Sequence, residues 1–195
     1  MDLLPVTEPV GLTKTGDKGK NSLIGGAGAD QMMGRSHNDK LYGLDGNDKL
    51  YGNLRHDLIF GGNGDDLLGG GFGNDRLRGG DGDDRLHGYF GNDDLHGDNG
   101  IDNLYGGAGR DTLTGGHGSD LFTWKAASET GVTASTRDVI TDFKGGGVAG
   151  GDTIDLSGLD AIPGGTDDGF TLKGTDAFDG LGQVRVRFEN GNTVV

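Results

Sequence analysis

Gly61 to His87 reads GGNGDDLLG-GGFGNDRLR-GGDGDDRLH, three nine-residue units of the pattern G-G-x-G-x-D-x-U-x, where U is a large apolar residue. The same register extends in both directions, from GDKGKNSLI at Gly16 to GGHGSDLFT ending at Thr123, twelve units with no insertion or deletion. Position one is Gly in every unit, position six is Asp in all but the first, where it is Asn21, and position four is Gly except at His37 and Arg55. A pattern that keeps phase over this length is a structural repeat, in which each unit buries its apolar residue against its neighbours.

Each unit divides into a six-residue turn, GGxGxD, and a three-residue strand, xUx. Side chains alternate along a strand, so only U is expected to face inward. That column runs Leu23, Met32, Leu41, Leu50, Ile59, Leu68, Leu77, Leu86, Leu95, Leu104, Leu113 and Phe122, without a polar member. If two units make one coil, twelve make six coils, a right-handed parallel β-roll roughly 30 Å long at about 4.8 Å per coil. The fold class is all-β, a β-solenoid closed by a C-terminal β cap.

Units two apart then lie over one another, and the turns fall on two edges. On the even edge every turn keeps G-x-x-G-x-D, with Gly28, Gly46, Gly64, Gly82 and Gly100 at position four and Asp30, Asp48, Asp66, Asp84, Asp102 and Asp120 at position six. On the odd edge GDKGKN at Gly16, GRSHND at Gly34 and GNLRHD at Gly52 depart from the pattern. It recovers from Gly70 onward, with Gly73, Gly91 and Gly109 beside Asp75, Asp93 and Asp111.

Only 31% of the chain is hydrophobic and its formal net charge is -14, a composition that by itself buries too little apolar surface to offset chain entropy. Stacked repeats can bury one apolar residue per unit, and a metal can offset the acidic repulsion. The acidity argues against nucleic acid and anionic membranes as partners. There is no cysteine, and no apolar run approaches the roughly 18 residues of a membrane span. Residues 1–15, with Pro5 and Pro9, read as a leader or linker with little structure, and no cleavable signal peptide is visible.

After Thr123 the period stops. Residues 124–195 read as a C-terminal β capping region with strands at Asp138–Phe143, Thr153–Leu156, Phe170–Leu172 and Gln183–Phe188, the last turning through Asn190-Gly191 into Thr193–Val195. This region is expected to be truncated, because the chain stops inside that hairpin.

Stacked glycine-rich turns can aim backbone carbonyls into the gap between coils, and the position-six Asp adds carboxylate oxygens there. Six to eight hard oxygens are what calcium takes, whereas magnesium holds a stricter octahedron and keeps water. The missing Cys and the lack of a His column disfavour zinc and copper.

Residues 16–123 resemble the RTX calcium-binding β-roll of bacterial proteins exported by type I secretion. The segments DVITDF at Asp138 and GDTIDLS at Gly151 resemble the stretch C-terminal to such a roll in serralysin-type proteases and in the R-modules of alginate C5-epimerases. The resemblance implies calcium ions shared between stacked turns of one edge, held by the position-six aspartates and the glycine turns named above, about seven ions in all. It also implies a secreted, extracellular module that folds on meeting calcium outside the cell, serves type I secretion and stabilises an attached domain. Asn21, Asp39 and Asp57 lie in turns where this carry-over is weakest. There Arg35, His37, Arg55 and His56 are expected to bring positive charge to Asp39 and Asp57.

A second reading is a module that holds an anionic, alginate-like polysaccharide on its outward aromatic and basic residues, Tyr42, Phe60, Arg78 and His96 on one face and Tyr51, His87 and Tyr105 on the other. No catalytic centre is expected. The five histidines form no H-E-x-x-H, and Gly34-Arg35-Ser36-His37-Asn38 only begins like a G-x-S-x-G elbow. Paired acids such as Asp65-Asp66 and Asp83-Asp84 read as metal-binding turn residues rather than glycosidase carboxylates.

Overall fold

The structure is a computed structural model that describes residues 11–126, 129, 137–144 and 151–155, together with the backbone of four short strands further on. Two parallel sheets face each other. One holds eight strands in the order Thr13–Thr15, Gln31–Ser36, Lys49–Leu54, Leu67–Phe72, Arg85–Phe90, Asn103–Ala108, Leu121–Thr123 and Thr153–Asp155. The other holds seven: Ser22–Gly26, Lys40–Asp45, Leu58–Asn63, Arg76–Asp81, Asp94–Asn99, Thr112–His117 and Val139–Ile140. Successive strands alternate between the sheets, and within the repeat each residue pairs with the one 18 positions on, as Leu50 with Leu68 and Leu77 with Leu95. Two units therefore make one coil, and the chain winds about six of them.

The division of the unit differs from the sequence reading. Strands in the body of the roll are six residues long and take in positions seven to nine and one to three, leaving only positions four to six as the turn. Glycine explains this. Positions two and four carry the positive φ angles, 97 to 127° at the position-two glycines such as Gly62 and Gly107, and 120 to 142° at the position-four glycines such as Gly46 and Gly109. Two left-handed residues turn the corner without a long loop. The seven non-glycine residues with positive φ, Arg35, His37, Leu44, Asn53, Arg55, Tyr89 and Asp98, all stand at these two positions, with φ of only 74 to 83°.

The apolar column from Met32 to Phe122 is fully buried, together with Trp124 and Ile140, and Leu23 is partly buried against it. Full burial of one such side chain stabilises by roughly 1.5–3 kcal/mol, and with one per unit the core is a single file. U is not the sole inward residue, however. The position-six aspartates from Asp30 to Asp120 are at most 3% exposed. The position-one glycine makes room for them: a Cβ on Gly43, Gly61 or Gly97 would lie well under 3.0 Å from the carboxylate of its own unit.

Both flanks join the roll. Thr13–Thr15 is a strand of the eight-stranded sheet, so the expectation of little structure before Gly16 is corrected there. At the other end Val139–Ile140 pairs with Thr112–Leu113, and Thr153–Asp155 pairs with Leu121–Thr123. The period stops in the sequence at Thr123, yet the stacking continues for one more strand on each sheet. Further on, Thr171–Lys173 pairs in parallel with Gln183–Arg185, and Arg187–Glu189 forms an antiparallel pair with Asn192–Val194, the hairpin expected around Asn190-Gly191. Phe170, Leu156 and Val195 lie outside the described residues.

Candidate metal centre

The position-six residues form two continuous ladders, one along each edge. On the even edge the N–H of Asp30, Asp48, Asp66, Asp84 and Asp102 donates to Oδ1 of the aspartate one coil further on, at 2.7 to 3.0 Å. On the odd edge Asn21, Asp39, Asp57, Asp75 and Asp93 do the same at 2.6 to 2.8 Å. The degenerate turns are thus in the ladder like the regular ones. Asp138 and Asp152 extend it: Asp111 N–H donates to Asp138 Oδ1 at 2.8 Å and Asp120 N–H to Asp152 Oδ1 at 3.1 Å.

The second carboxylate oxygen separates the interior of each ladder from its ends. Oδ2 of Asp39, Asp48, Asp57, Asp66, Asp75, Asp84, Asp93, Asp102, Asp111 and Asp120 is buried with no hydrogen-bond partner. At the ends the protein supplies one. The Trp124 indole N–H donates to Asp138 Oδ2 at 2.7 Å, the Lys144 N–H to Asp152 Oδ2 at 2.7 Å, and the Gly26 N–H to Asp30 Oδ2 at 2.6 Å. The remaining end carries Asn21, whose neutral amide donates to Gly19 O and Asp39 Oδ1.

A buried carboxylate oxygen with no donor costs several kcal/mol, and ten in file cannot all stay ionised without cations. Their acidities reflect this. Burial pushes Asp48, Asp75 and Asp111 up to about 6, Asp57, Asp66 and Asp102 to about 7, and Asp84 and Asp93 to about 8. The N–H received at Oδ1 opposes the rise in every case, and in most of them the neighbouring carboxylates add to it.

Backbone oxygens complete the donor set. A Cβ placed on Gly25, Gly43 or Gly97 would meet both the Oδ2 of its own unit and the position-one carbonyl of the next coil, closer than 3.0 Å to each. That convergence of carboxylate and carbonyl oxygens suits a hard cation. No group of three or more His, Cys, Asp or Glu side chains that could hold a metal exists among the described residues, so a bound ion must draw most of its ligands from the backbone. This is calcium's habit in turn sites, and no zinc-like side-chain cage is present among the described residues.

A family model for RTX calcium-binding nonapeptide repeats matches in four copies, over residues 15–50, 42–77, 69–104 and 96–123, more than half of the chain. The chain belongs to the RTX calcium-binding repeat family. No curated protein matches it. RTX repeats bind calcium and are typical of secreted bacterial proteins, and their consensus positions here are the ones that the buried ladder and the left-handed glycines occupy.

The RTX roll differs from the sequence reading at several side chains. Arg35, His37 and Arg55 make no ion pair with Asp39 or Asp57 among the described residues. His56 instead accepts the N–H of Asn74 on Nδ1 at 2.7 Å. Asp65 and Asp83 are exposed partners of a backbone N–H, at 3.0 and 2.8 Å, rather than inward metal ligands. Arg78 is held by both oxygens of Asp98. The sequence reading also missed Asp138 and Asp152 as ladder members, although each opens a D-x-U triplet, DVI and DTI, like the units before it.

Proposed function

We propose that this chain is a non-enzymatic, calcium-responsive module of a secreted bacterial protein, whose roll forms only when calcium fills the gaps between coils. The observation that carries the reading is the contrast within each ladder: three ends are carboxylates that receive a hydrogen-bond donor and the fourth is the neutral Asn21, whereas ten interior carboxylate oxygens have no donor. The ions sit between successive turns, on Asp30, Asp48, Asp66, Asp84, Asp102 and Asp120 with Gly28, Gly46, Gly64, Gly82 and Gly100, and on Asp75, Asp93 and Asp111 with Gly73, Gly91 and Gly109. About seven shared sites result, whose charge offsets the net -14. Where calcium is scarce the carboxylates repel and the chain stays expanded, suited to a narrow type I exporter; outside, calcium binds the folded state alone and drives folding by mass action, stabilising an attached domain.

Small-angle scattering tests this. A 195-residue chain has a radius of gyration of about 47 Å unfolded and about 16 Å compact. The metal-stripped protein should lie near the larger value, contract on millimolar calcium and not on equal magnesium. A compact, calcium-insensitive particle would contradict the reading.

One observation favours a second role for the folded roll. The first seven strands of the eight-stranded sheet contain no Asp or Glu in a chain that has 31, and their residues include Arg35, Lys49, Arg85, Tyr51 and the exposed Phe72, Tyr89 and Phe90. Such a face suits the sugar rings and carboxylates of an anionic polysaccharide. With Arg78 engaged by Asp98, Lys49 is the better probe: retention of the calcium-loaded protein by an acidic polysaccharide should weaken in Lys49→Glu, and unchanged retention would remove this role.

A further inference from the structure

Each turn is fastened to its neighbours by two sets of side chains that pull in opposite directions along the roll. The position-six N–H reaches up to the aspartate of the next coil, as Asp66 N does to Asp84 Oδ1 at 2.8 Å. The position-five N–H reaches down to the position-five side chain of the coil before. On the even edge Asp65 N donates to Asn47 Oδ1 at 3.1 Å, Asp83 N to Asp65 Oδ1 at 3.0 Å, and Ile101 N to Asp83 Oδ1 at 2.8 Å. On the odd edge Asn74 N donates to His56 Nδ1 at 2.7 Å, Asn92 N to Asn74 Oδ1 at 3.0 Å, and Arg110 N to Asn92 Oδ1 at 2.8 Å.

A trans peptide is planar, so its C=O points opposite to its N–H. Drawing the position-five N–H down therefore turns the position-four carbonyl up, into the gap above. That is the direction observed: a Cβ on Gly82 or Gly100 would run into the position-four carbonyl of the coil below. The carboxylate of the upper coil, which takes the lower coil's N–H on Oδ1, points down into the same gap. Among the described residues no hydrogen bond occupies the carbonyls of Gly46, Gly64, Gly73, Gly82, Gly91 or Gly100.

We infer that the position-five acceptors, Asn47, Asp65 and Asp83 on one edge and His56, Asn74 and Asn92 on the other, are positioning residues for calcium. They touch no ion themselves. By holding one peptide plane they aim the position-four carbonyl at the site, a step that rests on the calcium reading above.

The structure also shows the condition for the bond: an acceptor at position five below and a glycine at position four above. Asn38 has the acceptor, but the turn above it carries Arg55 at φ 82°, and among the described residues the His56 N–H donates no bond to Asn38. Where the upper residue is Gly64, Gly91, Gly100 or Gly109, the acceptor oxygen lies 2.9 to 3.2 Å from where a Cβ would be, so a side chain there crowds it.

The experiment compares Asn74→Ala, Asn74→Asp and Asn38→Ala in the full chain by calcium titration calorimetry and by europium luminescence lifetimes, which count the waters on a bound ion. Asn74→Ala releases the peptide after Gly91; one ion of the set should weaken roughly five- to tenfold, the worth of one neutral hydrogen bond, and one lifetime component should shorten as that ion gains a water. Asn74→Asp should restore both, and Asn38→Ala should change neither. Asp65→Ala on the other edge repeats the test should Asn74→Ala fail to fold. Wild-type hydration and affinity in Asn74→Ala, or an equal loss in Asn38→Ala, would overturn the inference. Failure of the unaltered protein to bind either ion would instead overturn the calcium reading beneath it.

Discussion

Arg55→Gly restores the position-four glycine of a turn whose position-one Gly52 and position-six Asp57 are already in place. Asp57 is already in the ladder, its Oδ2 is buried and without a partner, and Gly52 sits against it as the position-one glycine does elsewhere. What differs is φ at position four, 82° at Arg55 against 121 to 142° at Gly64, Gly73, Gly82, Gly91, Gly100 and Gly109. A rotation of this size changes the angle between the two peptides that meet at position four. The substitution removes left-handed strain of about 1–2 kcal/mol, less the roughly 0.5–1 kcal/mol of extra chain entropy that glycine loses on folding. It also allows the Asn38 bond to His56 N–H, worth about 1 kcal/mol. The larger gain is a new calcium gap between the Asp57 and Asp75 turns, which adds about 2.7 kcal/mol at a calcium concentration one hundred times its dissociation constant. Calorimetry should show one more ion bound than in the unaltered protein, and thermal melts should show a gain that grows with calcium. Leu44→Gly is the control: it relieves similar strain at position two, φ 83°, in a turn whose position four is already Gly46, and should stabilise without changing stoichiometry. Unchanged stoichiometry in Arg55→Gly would refute the argument that φ at position four decides whether a turn binds.

Other perturbations separate the parts of the unit. Asp84→Asn keeps an Oδ1 acceptor for Asp66 N–H but neutralises the unsatisfied oxygen, so at least one ion should be lost from the calorimetric count while calcium still induces strand signal by circular dichroism. Leu77→Ala empties a fully buried site in the single-file core and should cost about 2–5 kcal/mol of the calcium-loaded stability, read by denaturant unfolding. In the metal-free protein the ladder aspartates bind protons more tightly folded than unfolded, so folding takes up protons. Residual structure should therefore increase as pH falls from about 8, the folded value of Asp84 and Asp93, to about 4, the unfolded value, and gain nothing further below it. With calcium present the dependence reverses, because protons compete for the same oxygens, and the calcium midpoint should rise as pH falls below about 7. Loss of structure on acidifying the metal-free chain, monitored by circular dichroism, would contradict the assignment of these pKa shifts to burial.

The roll itself was legible because two simple periods coincide in the sequence. One apolar residue per nine fixes a strand face, and the regular return of Gly and Asp fixes the coil at 18 residues. What the letters did not disclose is which glycine does what. Positions one, two and four all read as turn glycines, yet the first is a steric hollow for a buried carboxylate and the others are left-handed corners, a distinction that depends on packing between coils rather than on local preference. Asp138 and Asp152 escaped because their ladder partners lie 27 and 32 residues away, outside the 18-residue spacing, so only the D-x-U triplets mark them. Position five looked free. It holds Asn, Asp or His wherever it accepts a neighbour's N–H, and Ile101 or Arg110 only where the chain of bonds ends. Gly69 is a similar case, an outward position left empty because a Cβ there would lie 2.9 Å from the ring of Tyr51.

The most direct test of the central claim is an equilibrium calcium titration of the metal-stripped protein, with bound ions counted while strand content and the fluorescence of Trp124 are monitored together. Trp124 is the chain's sole tryptophan, fully buried and bonded to the last aspartate of one ladder, so it reports whether the roll is closed at that end. The account predicts that strand signal and the Trp124 change appear in one cooperative step, at roughly 0.1 to a few mM calcium, the range of extracellular calcium modules, with about seven ions bound. A metal-stripped protein that already has full strand signal and a buried Trp124 at neutral pH, unchanged by calcium, would contradict it.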